Sequence, residues 1–226
     1  VLESVHPSSG PTAGGTELAL HGSGFAAGAN STRFCSFGPL GVVVAHVISP
    51  THLACLAPPA DGLAGGEGPV VLEVTLNDQD YTASAVNFSY YAPVAVSSLS
   101  PQSGPVGGAT LVRLSGAFSE FGSSYNCSFA LDEPPVPATR EGAESLVCHA
   151  PTMQAGTRNV SVSLNAHDYA ASPKLFSAYA PPVVMALSPA SGPLGGATRV
   201  VVSGVGFRGA FDDGPRVTCR FNTTAV

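Results

Sequence analysis

The residues best suited to covalent chemistry are five cysteines: Cys35, Cys55, Cys127, Cys148 and Cys219. Cys35 and Cys55 lie 20 residues apart, and Cys127 and Cys148 lie 21 apart. A zinc site would need four ligands at close spacing, and the sequence has no CxxC or HxxxH. Buried reduced thiols are the other alternative, because free cysteine packs as a small hydrophobe. The same spacing occurring twice argues against it and predicts two disulfides, Cys35–Cys55 and Cys127–Cys148. Each would close a loop whose constraint on the unfolded chain contributes roughly 3 kcal/mol. Cys219 stands where a third pair would begin, so its partner is expected beyond Val226.

Five sequons add a second kind of chemistry: Asn30-Ser31-Thr32, Asn87-Phe88-Ser89, Asn126-Cys127-Ser128, Asn159-Val160-Ser161 and Asn222-Thr223-Thr224. Chance would supply roughly one in a chain this poor in Asn. In two of them the strand phase points Phe88, Cys127 and Phe129 to one face and leaves Asn87 and Asn126 toward water, where N-linked glycans can be added. Disulfides and glycans together place the chain on the secretory route, extracellular or at the cell surface.

Catalysis finds little support. His6, His21, His46, His52, His149 and His167 are scattered, and none recurs at an equivalent place in both complete repeats. They read as surface or packing histidines. Neither GxSxG nor HExxH occurs. The acidic pairs Asp132-Glu133 and Asp212-Asp213 lie in Pro- or Gly-rich stretches and read as solvated turns. Asp78 and Asp80 could bind a cation, but the second repeat keeps only Asp168, which favours a turn. No catalytic residue, cofactor or metal is expected.

The elements that must position these residues come as repeats. Pro7-Ser8-Ser9-Gly10-Pro11-Thr12-Ala13-Gly14-Gly15-Thr16 returns as Pro101–Thr110 and again as Pro189–Thr198. Cys35-Ser36-Phe37 matches Cys127-Ser128-Phe129 and Cys219-Arg220-Phe221. Leu76-Asn77, Asp80-Tyr81 and Phe88 match Leu164-Asn165, Asp168-Tyr169 and Phe176. A unit of about 90 residues is the size of a small domain and too long for a solenoid repeat. We therefore expect domains at 1–93 and 94–181. A third would begin at residue 182 and be only half present at 226; half a sandwich cannot bury its own sheet, so the chain is expected to continue.

Within each unit, short apolar runs alternate with Gly- and Pro-rich turns. Expected strands are Glu17–His21, Thr32–Phe37, Val42–Val47, His52–Leu56, Val70–Leu76 and Val86–Tyr91. In the second unit they are Leu111–Ser115, Tyr125–Ala130, Ser145–His149, Val160–Leu164 and Leu175–Tyr179. No segment sustains a 3.6-residue period with caps. The pattern is all-β, a series of sandwiches. The opening segment reads as a bulged turn, because its two prolines exclude a central strand and its glycines permit a tight reversal. As a phosphate cradle it lacks both the following Lys-Ser/Thr and a helix. Asn77–Tyr81 and Asn165–Tyr169 read as hairpin turns between the last two strands.

Composition limits the partners. Charged residues are 11% of the chain, against roughly a quarter in an average soluble protein. The net charge is −6, with no basic stripe for duplex nucleic acid or an anionic membrane surface. No run approaches the roughly 20 apolar residues that span a bilayer.

The repeated opening segment, Gly22-Ser23-Gly24-Phe25 and Gly204-Val205-Gly206-Phe207, the Cys-x-Phe, and Cys55-Leu56-Ala57-Pro58 with Cys148-His149-Ala150-Pro151 together resemble the IPT/TIG family. The second unit departs at Gly116-Ala117-Phe118, which loosens that turn. The resemblance implies tandem immunoglobulin-like, early-set β-sandwiches of a fibrocystin-like or plexin-like surface protein. The first functional expectation is a non-enzymatic structural or adhesive module of a glycoprotein stalk, filament, or ciliary or other cell-surface assembly. Its partners would be other protein chains or copies of itself, and the proline-stiffened linkers around Ala92-Pro93 and Ala180-Pro181-Pro182 support it. The alternatives are the stalk of a plexin-like signalling receptor, an accessory domain of an extracellular carbohydrate-active enzyme, and a transcription-factor dimerisation domain. The carbohydrate reading needs exposed aromatics, whereas Phe37, Phe88, Phe129 and Phe176 sit at repeated strand positions and read as core. Negative charge and sequons oppose the last reading.

Overall fold

The structure, a computed structural model, describes residues 1–25, 33–130, 133–207, 218–221 and 224–225. The first unit runs β1 (Leu2–His6), β2 (Ser9–Pro11), β3 (Glu17–Gly22), β4 (Phe34–Ser36), a 3-10 turn at Gly38–Leu40, β5 (Val42–Val44), β6 (His46–Ser49), β7 (His52–Leu56), β8 (Gly68–Thr75) and β9 (Val86–Tyr91). The second runs β10 (Ala95–Ser100), β11 (Ser103–Pro105), β12 (Leu111–Ala117), β13 (Asn126–Ser128), β14 (Val136–Gly142), β15 (Ser145–His149), β16 (Gly156–Ser163) and β17 (Tyr169–Tyr179). Then come β18 (Val183–Ser188), β19 (Val201–Val205), β20 (Arg220–Phe221) and β21 (Thr224–Ala225).

The first unit is two sheets, β1-β3-β7-β6 and β2-β9-β8-β4-β5, packed face to face. Alternation along β3 and β8 sends Leu18, Leu20, Val70, Leu72 and Val74 inward. They meet Cys35, Phe37, Leu53 and Phe88 in one core. The second unit repeats this core with Val112, Leu114, Cys127, Phe129, Leu146, Val160, Val162 and Phe176. Phe37 meets Phe88 edge-on at 5.9 Å, and Phe129 meets Phe176 edge-on at 5.3 Å, the arrangement ring quadrupoles favour. Of the third unit's described strands, β18 and β19 pair as a hairpin with Val183, Val184, Met185 and Leu187 open to solvent.

Three local expectations are corrected. The opening segment is a strand before it is a turn: Ser9–Pro11 and Ser103–Pro105 run parallel to the ends of β9 and β17. Proline is tolerated there because the strand lies at the sheet edge, and the reversal follows with Gly14 donating to Pro11 O. The peptide before Pro7 and that before Pro101 are cis, where the chain passes from β1 to β2 and from β10 to β11. Val42–Val47 is two strands, because the chain changes sheets at buried Ala45: β5 pairs with β4, and β6 with β7. In the second unit, unbroken β14 makes the same crossing, pairing with β13 through Val136–Pro137 and with β15 through Ala138–Gly142. Finally, β17 begins at Tyr169, six residues ahead of the expected Leu175.

At Gly116-Ala117-Phe118, β12 continues to Ala117, yet Phe118 is buried as Phe25 is in the first unit. Thus the loss of the second glycine lengthens a strand without moving the aromatic. Gly24, which occupies that place in the first unit, has φ 80°.

Candidate functional site

The most heavily built polar site lies where the first two units meet. Asn77-Asp78-Gln79-Asp80 and Asn165-Ala166-His167-Asp168 both form side-chain-capped turns. Asn165 Oδ1 accepts from His167 N at 3.0 Å and Asp168 N at 2.8 Å, and its Nδ2 donates to Asp168 Oδ2 at 2.8 Å. Asn and Asp suit this place because their short side chains reach backbone N–H groups two and three residues on. Position two of the turn is left-handed, with Ala166 at φ 60°.

On the second unit this turn is pressed against the opening segment of the first. Asn165, only 1% exposed, donates its other amide proton to Ser9 O at 2.8 Å. Thr16 Oγ1 donates to Asp168 Oδ2 at 2.7 Å. Ser9 Oγ donates to Ser123 Oγ at 2.8 Å and accepts from Ser123 N at 3.0 Å. Ser9 and Thr16 are fully buried. Tyr91, the last residue of β9, inserts its ring into the second unit's core and is 1% exposed. The linker residue Ala92 donates its N–H to Glu67 Oε2 at 2.9 Å. The linker residues Ala92 and Pro93 are themselves exposed; the two units are held instead by the bonds that join Ser9 and Thr16 to the second unit and by the Tyr91 ring in its core.

Charge is tuned accordingly. Burial works against the ionised Asp168, but hydrogen bonds from Asn165 and Thr16, with His167 adjoining, outweigh it and hold the carboxyl below its ordinary value. Burial, reinforced by the Asp168 charge, pushes the Tyr91 hydroxyl far above its ordinary range. That hydroxyl has no hydrogen-bond partner among the described residues.

The other candidate residues are dispersed. Cys35 on β4 is joined to Cys55 on β7 with their Cα atoms 6.6 Å apart, linking the two sheets of the first unit, and Cys127 on β13 is joined to Cys148 on β15 at 6.5 Å, linking the strands on either side of β14. Cys219 is exposed and unpaired. Asn87 and Asn159 are exposed on strands, while Asn126 is half-buried and its carboxamide oxygen accepts from Ser124 Oγ at 3.2 Å. The Asn30 and Asn222 sequons lie outside the described residues, as do Asp132 and the Asp212-Asp213 pair. His21 and His52 meet across β3 and β7 with ring centroids 4.3 Å apart, a contact that their separation in the sequence conceals. Among the described residues, no group of three or more His, Cys, Asp or Glu is placed to hold a metal ion. Asp80 Oδ2 instead accepts from Asn77 Nδ2 at 2.8 Å. Phe37, Phe88, Phe129 and Phe176 are all buried, so none is available as a platform for stacking sugars. No helix among the described residues is long and apolar enough to cross a membrane.

Two-sheet immunoglobulin-like sandwiches, stapled by disulfides and docked in series through the opening segment, define the class of protein this is. The IPT/TIG domain model matches residues 1–90 and 93–178, and the chain belongs to that family. It is 23% identical to mouse Plexin-B2 over 92% of its length and 28% identical to human Plexin-A3 over 90%, in each case spanning 11% of the relative. The chain therefore covers about a tenth of the length of the curated relatives it matches. Among solved structures, the full extracellular region of Plexin A4 aligns over 86% of this chain and 18% of its own, with a TM-score of 0.51 and 18% identity, a likeness of fold.

The joint was the site that sequence reasoning missed. In the sequence both turns and the opening segment read as separate punctuation, because Ser9 and Asn165 lie 156 residues apart. The available signal was the co-occurrence of Asn-x-x-Asp with a Ser and Thr at fixed places in the opening segment of each repeat.

Proposed function

We propose that this chain is a non-enzymatic structural segment of a larger extracellular glycoprotein, holding consecutive sandwiches at a fixed angle so that their surfaces meet protein partners in a stalk, filament or other cell-surface assembly. The observation that carries this reading is the polar joint, in which Asn165 and Asp168 of one sandwich seat on the buried Ser9 and Thr16 of the one before. A flexible tether would not bury polar side chains at such a contact, because an unpaired buried group costs about 1–3 kcal/mol. The domains of this reading are 1–93, 94–181 and 182–226, and the glycans stand on Asn30, Asn87, Asn126, Asn159 and Asn222. Disulfides Cys35–Cys55 and Cys127–Cys148 belong with secretion into an oxidising compartment.

A second reading, the stalk of a plexin-like signalling receptor, is favoured by similarity to plexins along about nine-tenths of the chain. It requires a membrane-spanning segment and a cytoplasmic signalling domain in the native polypeptide, which full-length sequencing of the transcript would reveal.

Small-angle scattering of the chain tests the main reading. A single rigid arrangement of the first two sandwiches should fit the data, and the paired change Asn165→Ala with Asp168→Ala should require an ensemble of angles. Scattering from the unaltered chain that already demands such an ensemble would sink the proposal.

A further inference from the structure

The first unit carries its own copy of the docking turn, folded in the same way but uncovered. Asn77 Oδ1 accepts from Gln79 N at 3.1 Å and Asp80 N at 2.9 Å, and its Nδ2 donates to Asp80 Oδ2 at 2.8 Å. Thr75 Oγ1 donates to Asn77 Oδ1 at 3.2 Å, as Ser163 Oγ does to Asn165 Oδ1 at 3.0 Å. The second turn residue is left-handed in both, Asp78 at φ 61° and Ala166 at φ 60°. The difference is what lies outside. Asn165 and Asp168 face Ser9 and Thr16, whereas Asn77 and Asp80 are exposed. Beside the exposed turn lies an open groove lined by Val1, Leu2, Leu76, Tyr81 and Ser84. Beside the covered turn, the aromatic ring of Tyr91 from the preceding unit is packed away in the core.

The complementary half is also repeated. Ser103 and Thr110 hold in the second unit the places of Ser9 and Thr16. Ser103 Oγ is buried, with the residue 6% exposed, and has no hydrogen-bond partner among the described residues. Ser9 Oγ in the first unit has two partners, both supplied by the next sandwich. A buried hydroxyl without a partner marks a contact that the repeat is built to make.

From this we infer that the Asn77–Asp80 turn and its groove form a docking surface for the opening segment of another IPT/TIG domain joined ahead of this one in the same polypeptide. The occupant is defined by the observed joint. It presents a carbonyl oxygen for the free Asn77 amide proton, a Ser or Thr hydroxyl for Asp80, and an aromatic residue at the end of its last strand for the groove. A second, unlinked copy is the weaker fit. The joint's polar bonds are few and each contributes only about 1 kcal/mol net, which suffices across a short linker but not at ordinary solution concentrations. The inference deepens the structural role proposed above and rests on that reading for the rigidity of such joints.

The test joins an extra copy of residues 1–94 ahead of the full chain, so that the added unit enters through the same linker sequence. Spin labels on non-natural side chains then report distances across the new joint and, separately, across the native one. The expected result is a narrow distribution at both. Asn77→Ala with Asp80→Ala should broaden the new joint severalfold and leave the native one unchanged. Thr16→Val in the added copy, which leaves the receiving turn untouched, should broaden the new joint too. A new joint that is broad from the outset, or narrow but indifferent to these changes, overturns the inference. A broad native joint would instead sink the proposed function. Concentration-dependent dimers of the unextended chain that Asn77→Ala dissolves would overturn the assignment of the occupant in favour of a second copy.

Discussion

Asn165, itself buried, uses both amide protons and its carbonyl oxygen, and its bond to Ser9 O is fully buried while those within its own turn are partly so. Removing the carboxamide leaves Ser9 O and two turn amides short of partners inside the joint. The penalty for each such group is about 1–3 kcal/mol, so Asn165→Ala should destabilise the second unit by at least about 2 kcal/mol in urea unfolding. Asn77→Ala removes the same turn cap where water can substitute, and should cost the first unit less than half as much. Equal losses would mean that the contact with Ser9 adds nothing. Tyr91 supplies the opposite case. Its ring fills the second core, but its hydroxyl is buried without a partner, so Tyr91→Phe should leave stability unchanged or raise it by up to about 1 kcal/mol. Sequence separated these two residues poorly. Asn165 read as a turn residue and Tyr91 as the end of a strand, both accurately, but contacts between elements this distant leave no trace in local pattern.

The opening segment shows what a motif is for at the scale of an element. A Cβ on Gly10 would stand 2.8 Å from Phe88 Cζ and closer still to Thr16 Oγ1, and Gly104 is pressed by Phe176 and Thr110 in the same way. Glycine is therefore required where the edge strand crosses the core aromatic, and the threonine that ends the motif folds back over it. Gly14 has φ 73°, and a Cβ there would sit 2.7 Å from Pro58 C. Gly10→Ala should destabilise the first unit by about 1–3 kcal/mol through overpacking, read as a shift in its urea midpoint with no change in slope; Gly15→Ala, where a Cβ meets nothing, should cost less. Ala109 and Ala197 already occupy that left-handed position in the other units. The strands themselves were legible because apolar alternation is a local property, and His52–Leu56, Val86–Tyr91 and Ser145–His149 match the structure residue for residue. The first strand of each unit and β14 carried no comparable signal. Strands β1 and β10 bury residues three apart rather than two, and β14 alternates only between half-buried and exposed positions while it passes from β13 to β15. Sheet changes depend on which neighbour is nearer, and hydropathy does not encode that.

In the whole molecule, the joint ties the mutual placement of two sandwiches to one carboxylate. Asp168 Oδ2 accepts from Thr16 of the first unit and from Asn165 of its own, and a proton on that oxygen would displace one of them. The carboxyl is held below its ordinary 3.8. A depressed carboxylate contributes stability that is fully present above its unfolded-state value and lost as pH falls through the folded-state value. The loss should therefore be confined to acid, with the joint unaffected across the neutral range. Of the neighbouring groups, Tyr91 stays neutral there because burial pushes its hydroxyl up, and His167 Nδ1 lies 3.4 Å from Asp168 Oδ1. Thermal unfolding followed from about pH 6 down to about pH 2 should show the unaltered chain losing its margin over Asp168→Asn as Asp168 takes up its proton. Scattering over the same range should show the arrangement of the sandwiches loosening in step. Exposed carboxylates elsewhere would lower both proteins alike, so it is the difference between them that reports on the joint. Parallel curves would mean that Asp168 is a bystander and that Asn165, Ser9 and the Tyr91 ring alone fix the angle between the sandwiches.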